Sequence, residues 1–167
     1  KSKSENPVVW LETGMAVESL QGLPAAKDFY EEALNAYDDL LKDKPKDLFS
    51  WSDRGNTLLK LNRPQEALES YQKALDLNPN FYEALIGQAN AFSGLGKYLD
   101  ALLSFDRATK IRPDDYQLWF NRGMLLSQVL KNHEEAFKSF DRATKLKDDF
   151  YPAWLSKGLA LMELNNY

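Results

Sequence analysis

The sequence predicts an all-α fold, a solenoid of about nine helices stacked as antiparallel pairs. Three observations predict it. Tryptophans at 10, 51, 119 and 154 are each followed four residues later by a glycine (Gly14, Gly55, Gly123, Gly158), and the interval from 51 to 119 is twice 34 residues. Its midpoint holds Leu85, with the small residue Ala89 four positions on. An alanine then follows the small residue after twelve positions (Ala26, Ala67, Ala101) or thirteen (Ala136), an aromatic four later (Tyr30, Tyr71, Phe105, Phe140), and a second alanine three after that (Ala33, Ala74, Ala108, Ala143). Within each half-unit the apolar residues recur at three- and four-residue steps, as in Trp51, Gly55, Leu58, Leu59 and then Ala67, Leu68, Tyr71, Leu75, which is the spacing of a buried helical face.

The elements follow in order. The first pair is expected at 7–21 and 24–43. Its Trp-to-Trp spacing is 41, seven more than 34, and the excess lies after Ala33, where Ala36, Tyr37, Leu40 and Leu41 keep helical spacing up to Pro45. Seven residues is about two helical turns, so one long second helix can absorb them without turning its buried face. A rival register aligns Ala33, Tyr37 and Pro45 with the repeat instead, and places Pro24 inside the first helix. The second pair is expected at 48–61 and 64–77. Gly55 and Ala67 are small where the two backbones cross, and Trp51, Leu58 and Tyr71 fill the space around the crossing. Pro64 suits a helix start, where its missing N–H is not needed, and Pro79 and Pro113 stop second helices. The third pair spans 82–94 and 98–111, and the fourth 116–130 and 133–146. The fourth unit's one extra residue is assigned to the turn at Lys131-Asn132-His133, because an insertion inside a helix would rotate its face. Asp148 stands where proline is expected, which leaves that exit turn less sharply fixed. A single helix, 151–164, closes the chain. Terminal repeats need a polar outer face; this one is apolar on several sides (Trp154, Leu155, Leu159, Leu161, Met162, Leu164) and reads as a sticky end. The chain opens Lys1-Ser2-Lys3-Ser4 rather than with Met, and is expected to be a piece of a longer array. The units of this single domain, 1–167, are then 7–47, 48–81, 82–115, 116–150 and the half unit 151–167.

Composition narrows the function. Of 167 residues, 44 % are hydrophobic and 28 % charged, which is ordinary globular usage. Lys and Arg number 21 against 25 Asp and Glu, a net charge of −4, so no electrostatic footprint for nucleic acid exists. Cysteine is absent, which excludes a disulfide framework, a thiolate zinc site and a thiol nucleophile. The one histidine, His133, falls in an expected surface turn and leaves no basis for a histidine metal site or a catalytic triad. The acid pairs Asp38-Asp39, Asp114-Asp115, Glu134-Glu135 and Asp148-Asp149 lie near helix ends, where carboxylates cap or face water. Gly94-Leu95-Gly96-Lys97 is superficially like a phosphate loop but lacks a preceding strand and the right spacing. No apolar run is long enough for a membrane span. The expectation is a protein without catalytic activity, metal or cofactor, with the cytoplasm as default location. Arg54, Arg122 and Lys157 each precede the motif glycine; they are expected to pair with second-helix acids such as Asp106 or Asp141, a basic strip for an anionic partner being the alternative.

The tandem order aromatic–small–large–alanine–aromatic–alanine–proline resembles the tetratricopeptide repeat (TPR) family over nearly the whole chain. That resemblance implies a right-handed superhelix whose first helices line a concave groove for extended or helical peptides. Carried over unit by unit, the groove residues would be Leu11 and Met15; Phe49, Ser52, Asn56 and Lys60; Glu83, Ile86 and Asn90; Gln117, Phe120, Asn121 and Met124; and Leu155, Leu159 and Met162. Apolar members among them would form the kind of exposed patch that marks an interaction site. Some co-chaperones of the family grip a C-terminal carboxylate with lysines, an arginine and asparagines. The matching positions here are Ser52, Asn56, Gly87, Gln117 and Asn121, or Ile86, Asn90, Asn121, Pro152 and Ser156 one unit on, and every basic member is missing. The expected function is therefore a protein-interaction scaffold without that clamp, the alternative being a structural spacer or an oligomerisation segment that self-associates through 151–164.

Overall fold

The structure, a computed structural model, describes residues 6–165; the Lys1-Ser2-Lys3-Ser4 opening and the end at Tyr167 lie outside them. Among the described residues there are nine α-helices and no strand: α1 (Pro7–Gln21), α2 (Leu23–Asp43), α3 (Leu48–Lys60), α4 (Pro64–Leu77), α5 (Tyr82–Gly94), α6 (Tyr98–Ile111), α7 (Tyr116–Met124), α8 (His133–Leu146) and α9 (Tyr151–Asn165). They form two compact units, the first ending at Leu95 and the second beginning at Gly96.

Local chemistry sets the boundaries. Asn6, Asp47, Asp115 and Asn132 cap helices, their side-chain oxygens accepting from backbone N–H groups two or three residues on. Pro64 opens α4. Asn62 and Gly96 take left-handed backbone (φ 57° and 72°) in the turns after α3 and α5. The exit turn with Asp148 has the same form as the one with Pro79: Lys147 N–H reaches Ala143 O, and Asn78 N–H reaches Ala74 O, both at 3.0 Å. Proline is therefore dispensable there.

In the first unit, Leu11, Ala26, Tyr30, Ala33 and Tyr37 form one buried cluster between α1 and α2. The seven extra residues do lengthen α2, and both sequence alignments describe part of it. Tyr30 lies over Gly14 of its own pair, whereas Tyr37 turns to α3, where its hydroxyl approaches Asp53. Downstream, Tyr71 of α4 is held between two glycines. A Cβ at Gly55 would lie 2.6 Å from its ring, and one at Gly87 of α5 would lie 2.3 Å away. Gly87, not recognised as a packing position from the sequence, is as constrained as the motif glycine itself.

In the second unit Phe140 covers Gly123, and Leu126, Ala136, Phe140 and Ala160 form the core. The extra residue of the fourth pair is not in the turn as expected. The helix continues past Met124 as a π-turn, Leu125–Val129, with Leu130 N–H bonded to Leu125 O, and Lys131 takes the left-handed place (φ 55°) that Asn62 takes after α3. From Lys131 to the start of α8 is two residues, as from Asn62 to α4. The tight turn thus keeps its length and the wider π-turn takes up the insertion. Only the last turn of the helix is rotated, so the packing around Gly123 is spared.

Trp51 also differs from expectation, and Trp119 and Trp154 share its arrangement. They are not interior knobs but half-exposed braces. The indole N–H groups of Trp51, Trp119 and Trp154 donate to the carbonyls of Pro45, Pro113 and Asp148, each six residues back, at 2.8–3.0 Å. An indole needs a partner for its N–H, and the preceding exit turn supplies one. The cation before the motif glycine pairs with a second-helix acid sixteen residues back, as expected: Arg54 with Asp38, Arg122 with Asp106, Lys157 with Asp141, at 2.6–2.7 Å. Each joins one helix pair to the next. Arg54 and Arg122 add a bond to Ser70 and Ser139 on their own second helix, both 2.6 Å. These side chains are committed to the fold.

Candidate functional site

Side chains one helical turn apart share a face, and in the first unit this places five of the expected residues around one hollow. Met15 and Leu11 come from α1, Asn56 and Lys60 from α3, and Asn90 from α5. The hollow measures about 590 Å³ and is also lined by Val8, Glu12, Asp53 and Leu59. Val8, Met15, Asn56 and Asn90 are exposed, so its wall is open to a ligand. Two expected residues are not surface residues. Leu11 is buried in the α1–α2 cluster and only borders the hollow, and Ser52 is 2 % exposed, out of reach of any peptide. Leu11 is turned toward α2 of its own pair. Phe49 and Glu83 are exposed and Ile86 is half-buried, but none of them lines the hollow. Phe49 instead packs edge-on against Phe81, the ring centroids 5.3 Å apart.

The polar part of the hollow has a definite orientation. The buried Tyr71 hydroxyl donates to Asn56 Oδ1 at 2.8 Å, which turns the Asn56 amide nitrogen toward Asp53 Oδ1, 3.4 Å away. Tyr37 donates to the other Asp53 oxygen, also at 3.4 Å. Burial pushes the Asp53 carboxyl above the ordinary aspartate range, and the Asn56 and Tyr37 bonds offset this only in part. Lys60 is bound to Glu18 at 2.8 Å, and Tyr30 donates to the same Glu18 oxygen. These bonds, from Lys60 above all, hold the Glu18 carboxyl below the usual range. Sequence reasoning missed Asp53, which sits where the first unit carries Glu12 and the later units carry Gly87, Asn121 and Ser156. The available signal was its place three residues before Asn56 on the same helix face.

The remaining expected residues lie in the second unit. Gln117 and Asn121 are exposed on α7. Phe120 and Met124 are half-buried, Phe120 packing on Phe140 and edge-on to Phe150, and Met124 lying against Ser156. Leu155, Leu159 and Met162 form an exposed stripe on α9, 54–68 % accessible. On another side of the same helix Trp154 and Leu161 are about half exposed, and nothing lies within 4 Å of a Cβ built on Gly158. His133 is half-buried rather than solvated; it begins α8, and its Nδ1 is buried without a partner. Among the described residues, no group of three or more acidic, histidine or cysteine side chains is placed to hold a metal ion. No helix among them is long and apolar enough to cross a membrane.

Family models of the tetratricopeptide repeat match residues 49–81 and 86–152, together more than half of the chain. A search of curated proteins by sequence gives no match. Among solved structures, a crystal structure of MamA superposes with a TM-score of 0.77 at 22 % identity, over 83 % of this chain and 81 % of that one. A MamA fragment from Desulfovibrio magneticus RS-1 gives 0.70 at 15 % identity, over 99 % and 94 %. YrrB, described as a TPR protein with an unusual peptide-binding site, gives 0.61 at 23 % identity, over 93 % and 94 %. At these identities the likeness is one of fold.

Proposed function

The chain belongs to the tetratricopeptide repeat family, and on that premise we propose that it is a non-catalytic interaction scaffold that holds a peptide or helix of a partner protein against the α1–α3–α5 face. The observation that carries this reading is the hollow of about 590 Å³, where side chains from three successive first helices converge. Its size suits a few side chains of a peptide, and its lining mixes apolar walls with a small number of oriented polar groups, the usual make-up of a recognition site. The peptide-binding site named for YrrB supports the reading by analogy of fold.

The test is selection of a random peptide library on the wild-type protein, followed by binding measurements with Met15→Gln and Asn56→Ala. Met15 is exposed on the wall of the hollow, so a neutral amide there leaves the core and the charge of the hollow intact and removes its apolar surface. Loss of binding in both variants is the expected result. Peptides that bind both variants as well as wild type would place recognition elsewhere. A second reading, self-association or service as a structural spacer, is favoured by one observation, the exposed apolar sides of α9.

A further inference from the structure

The charges around the α1–α3–α5 hollow do not balance. Glu12, Asp53 and Lys60 line it, and Lys60 is already engaged by Glu18 at 2.8 Å. Asp53 meets only neutral donors, the Tyr37 hydroxyl and the Asn56 amide, each at the long distance of 3.4 Å. Asn56 cannot turn its oxygen away to suit another ligand without breaking the bond from Tyr71. Glu12 is exposed one turn from Val8 and near Met15 on the same side of α1. The result is a hollow with two carboxylates not neutralised by Lys60, set beside the apolar side chains of Val8, Leu11, Met15 and Leu59.

We propose that the peptide received here carries a lysine or arginine next to an apolar side chain, the cation set against Asp53 and Glu12 and the apolar group against Val8, Met15 and Leu59. The proposal rests on the reading of this face as the binding face, and adds the chemistry of the occupant. A cation at this place gives Asp53 the partner its own fold does not supply, in a partly buried setting where charge-assisted hydrogen bonds are strong. Arginine can bond the carboxylate with two N–H groups at once. An acidic or C-terminal carboxylate ligand would meet Asp53 and Glu12 as like charges, a repulsion that rejects it. A wholly apolar peptide would strand the Asp53 carboxylate away from water, which is unfavourable.

The experiment uses peptides recovered from a random library on the wild-type protein, resynthesised with a fluorescent label and titrated at several salt concentrations. The expected sequences are rich in Lys or Arg adjacent to Leu, Ile, Val, Met or Phe. Asp53→Asn is expected to weaken them about tenfold at low salt, Glu12→Gln less, and added salt to weaken wild-type binding more than Asp53→Asn binding. Glu12 is exposed, so its variant tests the charge without risk to the fold. Peptides that lose binding on Met15→Gln yet are indifferent to Asp53→Asn and Glu12→Gln, or that are rich in Asp and Glu, overturn the proposal and leave the binding face standing. Peptides indifferent to Met15→Gln as well, or a library that yields none, overturn the binding face itself.

Discussion

Gly123 and Gly158 occupy the same place in the repeat and differ in what lies over them. A Cβ on Gly123 would come 2.6 Å from the Phe140 ring, whereas one on Gly158 meets nothing within 4 Å. Gly123→Leu is therefore expected to destabilise by roughly 1–3 kcal/mol through overpacking, and Gly158→Ala to stabilise by roughly 0.5–1 kcal/mol, the helix-interior cost of glycine. His133→Ala should stay within about 0.5 kcal/mol, since the imidazole is only half-buried and its buried nitrogen makes no bond. Denaturant melts of the three variants check the order; equal shifts for Gly123→Leu and His133→Ala would show the repeat register to be wrong. Asp53 gives a second prediction. Its carboxyl is raised in the folded protein, chiefly by burial, so its protonated form favours folding: this contribution is present below the ordinary aspartate pKa and is lost as pH rises through the raised one. Asp53→Asn should melt higher than wild type at neutral pH, and the two should converge as pH falls below the carboxylate range. A lower melting temperature for Asp53→Asn at neutral pH would show the charge to be structural. A charge kept against stability is what a binding role leads one to expect.

At the scale of the helix, the sequence reading was strongest where one residue type has one physical reason. Pro64 at a helix start, Gly55 under an aromatic ring and the long α2 were all legible, because each follows from a missing N–H, a missing Cβ or an intact apolar period. The π-turn at Leu125–Val129 was not. A spacing of thirteen instead of twelve announces one extra residue, but helix and turn can both hold it, and the choice depends on which is cheaper to deform. The paired cations show how helix pairs are joined. Arg122, 13 % exposed, bonds both Asp106 and Ser139. Arg122→Met should cost about 1.5–3 kcal/mol, the range for hydrogen bonds to charged groups. The exposed Lys138, though paired with Glu134 and Glu135, should cost no more than about 0.5 kcal/mol when changed to Met. Equal effects in chemical denaturation would contradict the structural role given to Arg122. On α9, the open sides around Trp154 and Leu161 lead us to expect self-association in solution, relieved by Trp154→Gln with Leu161→Gln. A monomer at all concentrations, before and after the change, would remove that expectation.

At the scale of the molecule, the repeat pattern was enough for the fold class and for the side of the helices to inspect, and it was not enough for the site. Leu11 and Ser52 belong to the expected face by position, yet their place on the helix turns them inward. Asp53 is matched by an acid only at Glu12 of the first unit, the later units carrying Gly87, Asn121 and Ser156 there, so the repeat as a whole does not announce it. Function in such a scaffold sits on residues that the repeat leaves free to vary, so a pattern that identifies the scaffold is silent about them. The three methionines of the chain offer a direct check, since Met15 lines the hollow, Met124 is half-buried in the second unit and Met162 is exposed on α9. The measurement is a methyl-carbon NMR titration of methionine-labelled protein with a selected basic–apolar peptide. The Met15 signal is expected to shift and saturate with the binding curve. A bound peptide that leaves Met15 unmoved, while Met124 or Met162 responds, would contradict the assignment of recognition to the α1–α3–α5 face.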